Sequence, residues 1–123
     1  MTDNELTYQI RGAIWDVYNA LGSGLLESVY EEALCYELGQ RGLKFERQKQ
    51  VPIIYKGIIL KTDLRLDLMV EDTIIIELKS VEELKPVFYK QTKTYLKLTN
   101  KHIGLLVNFG EYNMGEGIHR IVL

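Results

Sequence analysis

The chain carries a single cysteine, Cys35, and two histidines, His102 and His119, among its 123 residues. One cysteine forms no intramolecular disulfide. With no histidine or second cysteine near it in sequence, it offers neither a zinc site nor an activated thiolate. The two histidines lack metal-ligand spacing, and neither stands out as a nucleophile's base. No apolar run reaches the roughly 18 residues a membrane-spanning helix needs, and no signal-peptide pattern is visible. The expected compartment is therefore a reducing cytoplasm, with no membrane partner. Charge of one sign is also missing: 15 Lys and Arg stand against 17 Asp and Glu, a net charge of −2. No global field draws in a polyanion, so any nucleic-acid surface must be local.

Repeats, low-complexity tracts and linkers are absent as well. What is present is a 46% apolar chain, enough for a real core and too short for two ordinary domains, so residues 1–123 are expected to form one domain. Apolar positions at helical spacing (Leu6, Ile10, Ala13, Ile14, Val17, Tyr18, Leu21) predict a helix over residues 5–21, ended by Gly22-Ser23-Gly24. A second helix is expected over residues 25–39, with Leu26, Val29, Tyr30, Ala33, Leu34 and Leu38 facing inward. Strands are expected near 44–55 and 58–61, joined by a Lys56-Gly57 turn. Pro86 suits the first turn of a third helix running to about Leu98, with Asn100 as its stop. Residues 103–109 and 118–122 read as two last strands. The predicted class is α/β, with two helices, several antiparallel strands, a helix and two strands in that order.

The strongest functional signal lies in residues 64–70 (LRLDLMV) and 73–79 (TIIIELK). Alternation puts Leu64, Leu66, Leu68 and Val70 on one face of the first strand and Arg65, Asp67 and Met69 on the other. In the second, Ile74, Ile76 and Leu78 oppose Ile75, Glu77 and Lys79. Matching the apolar faces in a hairpin pairs 70 with 74, 68 with 76 and 67 with 77, leaving Glu71-Asp72-Thr73 as the loop. Asp67 then faces Glu77 with Cβ atoms about 5 Å apart, where like charges repel unless a cation lies between them. The alternative is a solvated face on which Arg65, Asp67, Glu77 and Lys79 form cross-strand ion pairs.

Glu27 projects between Leu34 and Leu38, on the inward side of the second helix. It is either a site carboxylate or, with Gly24 as N-cap, the N3 partner of that cap. Gln91 and Tyr95 lie four apart on the third helix, and Lys90, Lys93, Lys97 and Lys101 form a stripe along it, either a solvated face or a track for phosphates. Lys44, Arg47 and Lys49 make a second basic cluster.

Taken in order, Gly24-Leu25-Leu26-Glu27-Ser28-Val29-Tyr30, Asp67, Glu77-Leu78-Lys79, and Gln91 with Tyr95 resemble the GxxExxY proteins, a family placed in the PD-(D/E)XK nuclease superfamily. The resemblance extends through residues 104–110 to 118–122. One departure is visible: Leu66 stands where the superfamily's name records proline. The resemblance implies a restriction-endonuclease-like core of helix, three-stranded antiparallel meander, helix and strand, with an extra N-terminal helix and the site where the sheet opens. It implies that Asp67 and Glu77 hold Mg²⁺ or Mn²⁺, with Glu27 completing the shell directly or through water and Leu78 contributing its carbonyl. Lys79 would stand beside the attacking water, and Gln91 would orient the lysine or the phosphate over Tyr95. The implied function is a Mg-dependent nuclease hydrolysing DNA, working as a homodimer. Two alternatives stay open: a non-catalytic nucleic-acid-binding or assembly module that keeps the fold, and an enzyme acting on a small phosphoester.

Overall fold

The computed structural model describes residues 1–123. Helix α1 (Asp3–Leu21) starts from a reciprocal cap, in which the Thr2 hydroxyl accepts the Glu5 N–H and the Glu5 carboxylate accepts the Thr2 N–H. Its predicted stripe is buried from Leu6 through Val17. Helix α2 (Glu27–Gln40) begins later than the spacing suggests. Gly22 and Gly24 take φ of 71° and 97°, a left-handed path open to glycine, and Leu26 then caps the helix in extended conformation. Gly24 is therefore not the cap and Glu27 is the first helical residue. Tyr30, Leu34 and Leu38 face inward as expected, but Leu26 and Val29, in the overhanging first turn, are exposed.

Strand β1 (Phe45–Val51) stops before Pro52, which has no N–H to give a ladder. The expected long strand thus divides. Beyond the proline, β2 (Ile54–Tyr55) and β3 (Ile58–Ile59) form a separate hairpin around Lys56 and Gly57, both at positive φ. Strands β4 (Leu64–Val70) and β5 (Ile74–Lys79) follow, then α3 (Pro86–Thr99), whose C-cap Asn100 adopts φ 57°. Strand β6 (Ile103–Asn108), a 3₁₀ turn at Met114–Glu116 and β7 (Ile118–Val122) complete the chain.

The main sheet has the order β1-β4-β5-β6-β7. All neighbours are antiparallel except β5 and β6, which run parallel and are joined by α3. Helix α2, the meander β1-β4-β5, α3 and β6 make the expected restriction-endonuclease-like core. Helix α1 is the added helix, β7 an added edge, and the β2–β3 hairpin an insertion in the meander. Both faces are covered. Leu68, Val70, Ile74, Ile76 and Leu78 pack with α1 and α2, and Met69, Ile75, Leu64 and Leu66 pack with Leu96 of α3. Leu64 and Leu66 therefore do not share a face with Leu68 and Val70. The alternation resets at Asp67, where the β1–β4 pairing skips the Gln48–Asp67 step and Gln48 is held at φ 51°. Such an irregularity turns a side chain away from the face that period two assigns it.

Candidate active site

The β4–β5 ladder pairs Val70 with Ile74, Met69 with Ile75 and Leu68 with Ile76, and there it ends. This is the predicted register, and it brings Asp67 opposite Glu77. The carboxylates take over from the backbone rungs. The Leu78 N–H donates to Asp67 Oδ2 at 2.8 Å, and the Asp67 N–H reaches Glu77 Oε1 at 3.5 Å. Glu77 is only 7% exposed. Burial, followed by the charge of Asp67 and a side-chain hydrogen bond to it, pushes the Glu77 carboxyl up to about 9. Left to itself at neutral pH, the pair thus retains a proton. Two oxygen-rich groups that cannot both be charged in a desolvated strand gap suit a hard divalent cation, which would take that proton's place.

Tyr95, half-buried on α3, borders this gap. Its phenol is pushed up by burial and then by the charges of Glu77 and Asp67. Lys79 ends β5 on the same side of the sheet, its Nζ 4.5 Å from the Phe88 ring centroid, a contact that restrains the ammonium without neutralising it. The structure therefore brings together Asp67, Glu77, Lys79 and Tyr95. Leu78 joins through its backbone, while its side chain fills the core under α1 and α2.

Other sequence candidates lie apart. Glu27 is exposed at the start of α2, and no set of three or more His, Cys, Asp or Glu side chains is gathered to hold a metal ion, so the pair is not joined by Glu27. Its projection is as expected, but it opens α2 in the same first turn whose Leu26 and Val29 are exposed. Gln91 is exposed one turn before Tyr95. Lys90, Lys93 and Lys97 line a shallow groove with Thr94 and Leu123, on the flank of α3 away from Tyr95, and Lys101 leaves the stripe to pair with Asp72 at 3.3 Å. In the second basic cluster, Lys49 pairs with Glu46 and Arg47 with Glu31, both at 2.7 Å. Cys35 is half-buried and its thiol is pushed up by burial, which keeps it unreactive.

Glu31 is absent from the sequence candidates. It is buried, and besides Arg47 it accepts Gln48 Nε2 at 2.6 Å, with the same amide 3.5 Å from Asp67 Oδ1. A signal for it is present, since Glu31 lies in the stripe of Leu34 and Leu38. The left-handed Gln48 that completes the chain from Glu31 to Asp67 carries no such signal.

A carboxylate pair, with Glu77 buried, and a lysine thus lie at the open end of a meander, under a helix, on a restriction-endonuclease-like fold. The family model described as the PD-(D/E)XK nuclease superfamily matches residues 4–121, and the chain belongs to that superfamily. The superfamily is one of nucleases, which typically use divalent metals. No curated protein matches the chain. The crystal structure of SSO0001 is similar in fold, with a TM-score of 0.54 at 22% identity over 78% of this chain. The chain spans half the length of that protein, 50% of which is covered. No helix is long and apolar enough to cross a membrane.

Proposed function

We propose that residues 1–123 act as one nuclease domain of the GxxExxY type, a Mg²⁺- or Mn²⁺-dependent enzyme that hydrolyses phosphodiester bonds of DNA in the cytoplasm. The observation that carries this reading is the Asp67–Glu77 pair, placed where the β4–β5 rungs end and charged only at a cost. Asp67 and Glu77 would hold the cation, with the Leu78 carbonyl as a further ligand and Glu27 acting only through water. When bound, the cation supplies Lewis acidity to the phosphoryl group and acidifies the attacking water. Lys79 presents its ammonium to the charge building on the phosphate, and the Phe88 ring keeps it at the strand end. Tyr95 closes the gap beside the carboxylates, and Gln91, a turn away, reaches the phosphate or the lysine. A homodimer is part of the proposal. It is supported by the β2–β3 hairpin, whose Ile54, Tyr55, Ile58 and Ile59 are all exposed.

Titration of Mn²⁺ into wild type and an Asp67→Ala, Glu77→Ala double variant, with cleavage of DNA followed in parallel, tests the reading. Saturable binding lost in the double variant, together with cleavage lost in Lys79→Ala, is the expected result. Absence of metal binding with DNA present overturns it. The non-catalytic binding module is the second reading, favoured by the lack of a third gathered carboxylate. It predicts salt-sensitive DNA retention without cleavage.

A further inference from the structure

A cavity of about 680 Å³ opens where β5 and β6 end, beside the start of α2. Its walls come from residues 23–26 and 29, 80–82 and 110–112. Each of these loops is fixed by a buried or half-buried polar side chain. The Tyr30 hydroxyl donates to the Gly22 carbonyl at 2.7 Å and accepts the Leu25 N–H at 3.0 Å, while its ring stacks on Phe109. Asn108, fully buried, accepts the Val81 and Gly110 N–H groups, each at 3.0 Å, and donates to the Val81 carbonyl at 2.9 Å. Gly110 runs so close to the Val81 backbone that a Cβ there would collide with it. The Tyr18 hydroxyl donates to the Glu111 carbonyl at 2.9 Å, and Ser80 Oγ reaches the Leu25 carbonyl at 2.6 Å.

The walls are rigid, yet what they present is unsatisfied. Leu25 and Leu26 are exposed within the cavity, and the Tyr112 ring is 97% exposed with nothing stacked on it. Preformed walls around a partly apolar cleft of this volume are a common form of a small-ligand site. The rim carries Glu82 and Glu111, which repel a phosphate. A flat, uncharged ring with N–H donors at its edge meets all three conditions: apolar floor, free aromatic face, carboxylate acceptors.

Position narrows the choice further. Lys79 and Ser80 are consecutive at the end of β5. Lys79 faces α3 and Ser80 faces the start of α2, so the cavity lining begins at the residue after Lys79, across the open end of the sheet from the ammonium assigned to the phosphate. We propose that the cavity takes an unpaired nucleobase of the strand being cut, next to the scissile phosphate, with Tyr112 as the stacking platform. The proposal rests on the nuclease reading and extends it to a substrate class. A base inside a duplex does not reach such a pocket without being extruded, so the enzyme works on single-stranded or locally unpaired nucleic acid.

The test uses a single-stranded DNA oligonucleotide carrying 2-aminopurine, titrated with protein in EDTA and again in Ca²⁺, against the same strand with an abasic position and against a matched duplex. Wild type quenches the fluorophore and prefers the intact single strand to both others. Tyr112→Ala, at an exposed position that leaves folding alone, weakens intact-strand binding about 10-fold, the loss of one base–aromatic stack. It leaves the abasic strand unaffected. Equal binding by wild type and Tyr112→Ala overturns the proposal, as does equal binding of intact and abasic strands, or no strand binding in either buffer. Cleavage in Mn²⁺ is scored separately. Cleavage indifferent to Tyr112 and to the base sinks the pocket and leaves the nuclease, whereas Tyr112-dependent quenching without cleavage keeps the pocket and sinks the nuclease.

Discussion

Glu77 has an inverted titration. Its carboxyl is raised from 4.5 to about 9 by folding, so the folded state binds the proton more tightly than the unfolded chain. Between those two values stability falls as pH rises, because the unfolded chain sheds the proton first. Below the lower value the effect vanishes. Glu77→Gln is therefore expected to raise the thermal midpoint in EDTA at pH 8 and to leave it unchanged near pH 4, as scanning calorimetry at the two pH values would show. In wild type, Mn²⁺ should raise the midpoint at pH 8, and chelation should reverse the gain. A flat pH profile would mean that Glu77 is hydrated. On the proposed mechanism, Lys79→Ala is expected to lower the cleavage rate by about 100-fold or more and to retain Mn²⁺ affinity, since the ammonium would stabilise developing charge and hold no metal. Loss of both together in a titration and rate assay would count against that division of labour.

Among the elements, the β4–β5 hairpin is the one most legible in the sequence. The apolar set Ile74, Ile76 and Leu78 in β5 and a polar three-residue loop point to one register, and this is the register found at Leu68–Ile76. Pro86 and Asn100 likewise mark the ends of α3. Legibility fails wherever backbone conformation, not side-chain pattern, decides. Positive φ at Gly22 and Gly24 delays α2 and leaves Glu27 in solvent, and positive φ at Gln48 reverses the faces of β4 at Asp67. Neither event alters the spacing of apolar residues. Asn108 belongs to the same class of silent residue, one polar side chain in an all-buried strand. Asn108→Ala leaves Val81 and Gly110 with unpaired backbone groups and should cost about 2–4 kcal/mol by urea unfolding. A cost under about 1 kcal/mol would show that water replaces the amide.

At the scale of the whole molecule, the helices cover both faces of the sheet, yet the β2–β3 hairpin lies outside both cores with its isoleucines bare. If two copies meet there, Ile58→Asp shifts the protein from dimer to monomer in light scattering behind size exclusion, with its circular dichroism unchanged. An unchanged mass would place the interface elsewhere or remove it. The chain's net charge of −2 and the lysines turned to the far flank of α3 leave few cations at the carboxylates, so on the nuclease reading a polyanionic substrate would depend on local contacts.

The open end of the β4–β5 ladder also makes the protein its own indicator. The Leu78 amide proton is directed at Asp67 Oδ2, and a hydrogen bond to an ionised carboxylate is shorter and stronger than one to a neutral acid. Whatever occupies the pair changes the charge felt by that one proton. A single backbone resonance in a nitrogen-15 spectrum therefore follows protonation, ion uptake and competition between ions, without a dye and without turnover.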